Sequence, residues 1–80
     1  MNSKTNESMI RYIKSAAEQG RKCEVVYNKY SYHNSPTITV IGRIIPYFVA
    51  GTITVIWNET DTSQTCVSIP LSKIVSVRMV

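Results

Sequence analysis

The 80-residue sequence contains few of the residues on which enzyme active sites depend. It has one histidine, His33, and only five acidic residues. No carboxylate lies close enough to His33 in the sequence to orient its ring, and no pair of carboxylates falls on a predicted helix or strand. The three glycines, Gly20, Gly42 and Gly51, are too far apart to form a phosphate-binding loop. The sequence therefore predicts a protein that is not an enzyme.

Cysteine is also scarce. Cys23 and Cys66 stand far apart in the sequence and form no CxxC motif. A structural zinc site needs four closely spaced ligands, so we predict neither a metal nor another cofactor. In a reducing compartment the two residues are expected to be free thiols.

Long apolar runs are absent. None approaches the ~20 residues that cross a bilayer, and the N-terminal "MNSKTNESM" lacks the basic-then-apolar order of a secretory signal peptide. We therefore expect a cytoplasmic protein with no membrane contact. A chain this short buries only ~60% of its unfolded surface, so residues 1–80 are expected to form a single domain.

Basic residues outnumber acidic ones mainly in the first half of the chain. Residues 1–43 hold seven of the nine Lys and Arg but only three of the five Asp and Glu, so the whole net charge of +4 lies there. Such a bias attracts nucleic acid or an acidic protein surface. The alternative is a solvated helix face that only keeps the protein soluble.

The first segment has the pattern of an amphipathic helix, predicted over about residues 6–19. Its apolar residues form a single stripe: Met9, Ile10, Ile13, Ala16 and Ala17. Thr5 or Asn6 can cap the start, and Gly20 can end the helix in the left-handed conformation.

After Gly20 the apolar period changes to two, which predicts five short strands over about residues 22–80. The strand segments are "KCEVVYNKYSY", "TITVIGRII", "TITVIWN", "TCVSIP" and "IVSVRMV", with a turn at "LSK". In the third, alternation places Ile53, Val55 and Trp57 on one face. Because an open sheet would leave apolar edges exposed, we predict a mainly β fold with one N-terminal helix, closed into a five-stranded SH3-like or Sm-like small barrel.

Gly42 and Arg43 interrupt a β-branched run in the second predicted strand. We interpret Gly42 as the bend that lets this strand take part in both halves of the barrel. A glycine on the inward face relieves crowding there, and Arg43 then points outward.

Three segments resemble those of the bacterial YolD-like family: Gly42-Arg43-Ile44, Thr52-Ile53-Thr54-Val55, and "IPLSKIVSV" from Ile69 to Val77. "RIIPY" and "VSIPLSKIVSV" are similar to the WYL domain, although the Trp-Tyr-Leu tripeptide is absent. The longer N-terminal segment typical of YolD-like proteins is missing too. The resemblance implies a small Sm-like barrel from a bacterium or a phage-infected cell. It also implies a setting of mobile elements and DNA-damage tolerance, in which YolD-like proteins accompany error-prone DNA polymerases.

The segment "YNKYSYH" interleaves aromatic and basic residues. Rings beside cations can stack on bases while the cations neutralise phosphates, and Tyr and Arg also anchor protein interfaces. The alternative is that these tyrosines only pack against the fold. The candidate binding residues are Lys29, Tyr30, Tyr32, His33, Arg43 and Tyr47.

Three functions fit this sequence. The first is a non-enzymatic binding module, an accessory or regulatory protein in bacterial or phage nucleic-acid transactions, whose partner is nucleic acid, a protein such as a polymerase, or both. The second is a phage-type inhibitor, an anti-defence protein that blocks a host protein by binding it. The third is a structural homo-oligomer, such as a homodimer built through an edge strand.

Overall fold

The computed structural model describes residues 3–45, 51–60 and 62–80, with only the backbone described at residues 3–6 and 59. One helix precedes five antiparallel strands, so the fold is mainly β, as predicted. A single 3₁₀ turn, Leu71–Lys73, separates the last two strands. The elements are α1 Ser3–Gln19, β1 Lys22–Asn28, β2 Thr37–Ile44, β3 Thr52–Glu59, β4 Gln64–Pro70 and β5 Ile74–Met79.

Helix α1 ends where the sequence predicts but begins at Ser3 rather than near residue 6. The end is fixed by Gly20, whose φ is +66°. Its N–H donates to the carbonyl of Ala17 at 3.1 Å, and that of Arg21 donates to Ala16 at 3.1 Å, which completes a Schellman motif. The start is less determined because Ser, Thr and Asn all cap helices and this segment contains all three.

The strands form one sheet in the order β4-β3-β2-β1-β5. β2 pairs with β1 from Thr37 to Arg43 but with β3 only through Arg43 and Ile44, so it joins two hairpins. Among the described residues β4 and β5 do not pair, and the hydrogen-bonded sheet is not closed. Helix α1 contacts β2 and β5, and the Tyr12 hydroxyl accepts a hydrogen bond of 2.6 Å from the N–H of Met79.

Gly42 is buried where the backbone of β3 comes close to β2. A Cβ at this position would collide with the carbonyl oxygen of Ile56 and lie 2.8 Å from the Cα of Trp57. Gly42 pairs with the fully buried Cys23, and directly opposite residues of a sheet share a face. The structure thus confirms that Gly42 faces inward, at a point where no side chain fits.

The helix and all five strands contribute to one core. Ile53 and Val55 are buried, but Trp57, which alternation predicts on the same face, is 49% exposed, so the prediction of a shared face is wrong for Trp57. Pairing between β3 and β4 shifts register between Ile56 and Asn58, and this bulge breaks the alternation. The core consists of Ile13, Ala16, Ala17, Cys23, Val25, Ile44, Ile53, Val55, Ile69 and Ile74.

The two cysteines are free thiols in different environments. Cys23 lies in the core, where burial raises the pKa of its thiol, whereas Cys66 is exposed on β4. In the part of the chain that the structure describes, no helix combines the length and apolar character that a membrane span requires.

Candidate functional site

The connection between β1 and β2 begins earlier than the sequence pattern predicts. The last pair of the ladder joins Asn28 to Thr37, so the strand that was expected to run through Tyr32 ends at Asn28. Pro36 has no N–H to donate to a ladder, and Asn34 adopts the left-handed conformation with φ 61°, as turn residues do. The tyrosine-rich segment is therefore a loop.

This loop is held by hydrogen bonds of its own. The N–H of Lys29 donates to the carbonyl of Pro36 at 2.8 Å. The Ser35 hydroxyl accepts a hydrogen bond of 2.8 Å from the N–H of Tyr30 and donates one of 2.9 Å to the Pro36 carbonyl. Because these contacts close the base of the loop, the aromatic residues are presented from a defined backbone.

Tyr30 and Tyr32 stack on each other at the surface. Their ring centroids are 5.2 Å apart with an interplanar angle of 14°, and the Lys29 ammonium lies 5.3 Å from the Tyr30 centroid. Both distances suit offset stacking and a cation–π contact. The side chains nevertheless remain 43% and 59% exposed, whereas Tyr27 packs against the core. Among the three tyrosines of this segment, only Tyr27 packs against the core.

His33 is exposed on the same loop. Within the described residues, no three His, Cys, Asp or Glu side chains group in a way that could hold a metal ion. We refer to Lys29, Tyr30, Tyr32 and His33 together as the tyrosine loop.

Arg43 lies at the other end of the β1–β2 hairpin. It pairs with Lys22, whereas the tyrosine loop follows the Asn28–Thr37 pair. At ~3.3 Å per residue, the two ends are about 20 Å apart. The structure therefore does not bring Arg43 together with the tyrosine loop. Tyr47 lies outside the described residues, as does all but the last residue of "PYFVAG", residues 46–51, whose sequence predicts a turn or bend.

Arg43 lines a surface groove at its own end of the hairpin. The groove, which we call the Trp57 groove, has a volume of about 360 Å³ and lies between the end of α1, the start of β1, the last part of β2 and the bulge of β3. Ile41 and Trp57 are each 49% exposed, and Lys22 is exposed as well. Its walls include Lys22, Ile41, Gly42, Arg43, Ile56 and Trp57.

The sequence pattern does not reveal the Trp57 groove, because alternation places Trp57 on the same face as the buried Ile53 and Val55. A usable signal was present: Ile41 falls on the outward face of β2 beside Gly42. A large apolar residue at a solvent-facing position, next to a glycine that faces inward, indicates that a neighbouring element borders this part of the surface. The position of the β3 bulge, however, is not visible in the sequence.

Between the tyrosine loop and the Trp57 groove, the paired strands β1 and β2 carry one carboxylate, Glu24. Arg78 on β5 donates to it twice, from Nε at 2.9 Å and from Nη2 at 3.2 Å. The guanidinium lowers the pKa of Glu24, mainly through these hydrogen bonds. Its charge is thus compensated locally, so this stretch of the hairpin presents little net negative charge to an anion.

Comparisons of the chain with protein-family models, with curated proteins and with solved structures find no match. The resemblance to YolD-like and WYL proteins therefore stays a prediction from the sequence pattern.

Proposed function

We propose that the protein is a non-enzymatic binding module that holds single-stranded nucleic acid through the tyrosine loop. The observation that supports this is the stacked and exposed pair of Tyr30 and Tyr32 beside Lys29. Aromatic faces accept any base, and a neighbouring cation neutralises the phosphate. A duplex keeps its base faces stacked inside, so the single strand is the form that fits.

The shape of the loop favours such binding. Hydrogen bonds at its base fix the backbone before a ligand arrives, which reduces the entropy lost on association. Each tyrosine already covers one face of the other, and Tyr32 is the more exposed of the two. We therefore assign the main stacking contact to the outer face of Tyr32.

The proposed architecture is a small barrel of the Sm-like type. It is supported by the pairing of the first strand with the last and by the inward Gly42 on the strand that joins the two hairpins. Together with the YolD-like segments, this architecture fits an accessory protein in bacterial or phage nucleic-acid transactions. The basic first half of the chain would attract the strand.

Fluorescence anisotropy of a labelled oligothymidylate of about 12 nucleotides tests this function. We expect binding that weakens as salt rises, with a slope of about −0.7 per phosphate neutralised. Tyr32→Ala should weaken binding by about 1–3 kcal/mol, because one base loses its stacking partner. Tyr32→Phe is the matched control, since it keeps the ring and should bind like the parent.

Absence of binding, or equal affinity of Tyr32→Ala and the parent, would overturn this assignment. If the oligonucleotide does not bind while the parent retains one host protein in a pull-down and Tyr32→Ala does not, the tyrosine loop serves the inhibitor hypothesis instead.

The edge of β4 favours the structural homo-oligomer as a second candidate. Its seven residues, "QTCVSIP", carry no charge, and its outer side has no partner strand among the described residues. Natural edge strands are commonly protected by charged residues or proline, and of these β4 has only Pro70, at its last position. If β4 pairs with a second copy, light scattering should give a dimer for the parent and a monomer for Ser68→Lys. A monomeric parent would exclude this candidate.

A further inference from the structure

We propose that the Trp57 groove is a second nucleotide position on the same single strand, where a base stacks on the Trp57 indole and the adjacent phosphate lies against Lys22. This inference rests on the proposed function of the tyrosine loop. It assigns nucleotides to the groove as its ligand class. It also makes the groove a determinant of the strand length that the protein binds best.

The shape of the groove suits a base. Its volume of about 360 Å³ lies within the range of roughly 300–1,000 Å³ that small-molecule sites occupy. Ile41 and Ile56 supply apolar walls, and Gly42 lines the groove with its backbone. Trp57 reaches the groove because the bulge in β3 turns it away from the core. A flat ring with apolar faces and polar edges matches such a site.

The positively charged side chains that line the groove favour an anionic ligand. Lys22 and Arg43 are cross-strand partners and both line it, while no carboxylate does so among the described residues. An acidic peptide would also be attracted by these cations. The nucleic-acid strand is favoured because an exposed aromatic ring beside a cation occurs at both ends of the β1–β2 hairpin, at the tyrosine loop and in the Trp57 groove, where β3 supplies the ring.

The distance between the two positions sets the expected length of the ligand. They lie about 20 Å apart along the hairpin at ~3.3 Å per residue. The only carboxylate on the strands between them, Glu24, is paired with Arg78. A strand of several nucleotides would span both, which falls within the roughly 4–16 nucleotides that a small barrel of the OB type covers.

Trp57 is the only tryptophan of the chain, so its fluorescence reports on this groove directly. We would titrate the full chain with oligothymidylates of about 4 and about 12 nucleotides, following Trp57 emission together with the anisotropy of the labelled strand. We expect the longer strand to quench Trp57 with the same midpoint as its anisotropy change. We also expect it to bind more tightly than the shorter strand.

Variants identify the contact. Trp57→Leu should weaken binding of the longer strand by about 5- to 100-fold and remove its advantage over the shorter one. Lys22→Ala should reduce the salt slope by about 0.7, because one phosphate contact is lost. Arg11→Ala is the matched control, since it removes the same charge from the exposed outer side of α1 and should leave the quenching of Trp57 unchanged.

The outcomes separate this inference from the proposed function. If the longer strand binds with loss on Tyr32→Ala, yet Trp57 emission does not change and Trp57→Leu binds equally, the groove assignment is overturned and the tyrosine-loop function stands. If neither strand binds the parent, both are overturned. Quenching of Trp57 by polyglutamate but not by either strand would overturn the nucleotide assignment in favour of an acidic peptide. The fluorescence of the parent decides the matter even if Trp57→Leu does not fold.

Discussion

The two ends of the β1–β2 hairpin use their residues in opposite ways. At one end Gly42 and Ile44 are fixed by packing, because β3 touches the first and the core surrounds the second. At the other end Tyr30 and Tyr32 mainly contact each other and remain exposed. The hairpin thus acts as a rigid support at one end and presents side chains at the other, a division of roles common for binding loops. Substitutions of the inward residues Gly42 and Ile44 should change stability, and those of the exposed Tyr30 and Tyr32 should change binding.

The largest effect on the free energy of unfolding is expected from substitution of Gly42. Gly42→Val should lower the free energy of unfolding by at least the ~1–3 kcal/mol usual for overpacking, because the new Cβ meets backbone atoms of Ile56 and Trp57 that cannot move independently. Thr39→Val on the exposed face of the same strand is the matched control and should be neutral or slightly stabilising. Urea unfolding monitored by circular dichroism measures both variants. Equal stability would mean that β3 does not approach β2 as described.

The second-largest effect on stability should distinguish the buried face of β2 from its exposed face. Ile44 is fully buried, whereas Ile41 is 49% exposed. Ile44→Ala should lower the free energy of unfolding by roughly 2–4 kcal/mol through lost burial and a cavity. Ile41→Ala removes the same atoms from the surface and should change it by less than about 1 kcal/mol. Similar losses for the two variants in urea unfolding would contradict the assignment of faces.

Most of the fold follows from local patterns. The helix and the strands were predictable because the apolar period changes from 3.6 to 2 at Gly20, and the inward position of Gly42 follows from alternation. Trp57 was placed wrongly because a bulge changes the phase of alternation, and a bulge depends on how two strands fit together rather than on either strand alone. The open edge between β4 and β5 likewise depends on long-range pairing.

Only half of the candidate site could be predicted. Composition identified Tyr30 and Tyr32, since exposed aromatic residues near a lysine form a local signal. The sequence also predicts that Arg43 extends this surface, but the antiparallel register carries it to the far end of the hairpin. Proximity in space is set by register, which the segment itself does not specify.

A smaller effect is expected where the helix meets the sheet. Tyr12→Phe removes the hydroxyl that accepts from the N–H of Met79 at 2.6 Å on the outer edge of β5. The expected loss is about 1 kcal/mol, typical of one hydrogen bond. Tyr32→Phe removes a hydroxyl from the tyrosine loop and serves as the control, with no change in melting temperature. An unchanged melting temperature for Tyr12→Phe would show that water replaces this contact without loss.

The ion pair of Glu24 and Arg78 should give a still smaller effect that depends on pH. Because Arg78 lowers the pKa of Glu24 in the folded state, the pair adds stability above the unfolded pKa of about 4.3. That stability is lost as the pH falls through the lower folded value. The difference in melting temperature between the parent and Glu24→Gln should therefore be present at neutral pH and vanish in acid. High salt should reduce it, since the Arg78 side chain is exposed and Glu24 is only partly buried.

The smallest effect on stability is expected from the pair of substitutions that should affect binding most. Tyr30→Ala combined with Tyr32→Ala removes two rings that lie outside the core, so the melting temperature should change by less than about 4 °C. The affinity for the oligonucleotide should nevertheless fall, because the two exposed rings contribute contact area to the interface at the tyrosine loop. The matched pair Tyr30→Phe and Tyr32→Phe should keep both properties. A large fall in melting temperature for the alanine pair would mean that the stacked rings support the hairpin, and the contrast between its two ends would no longer hold.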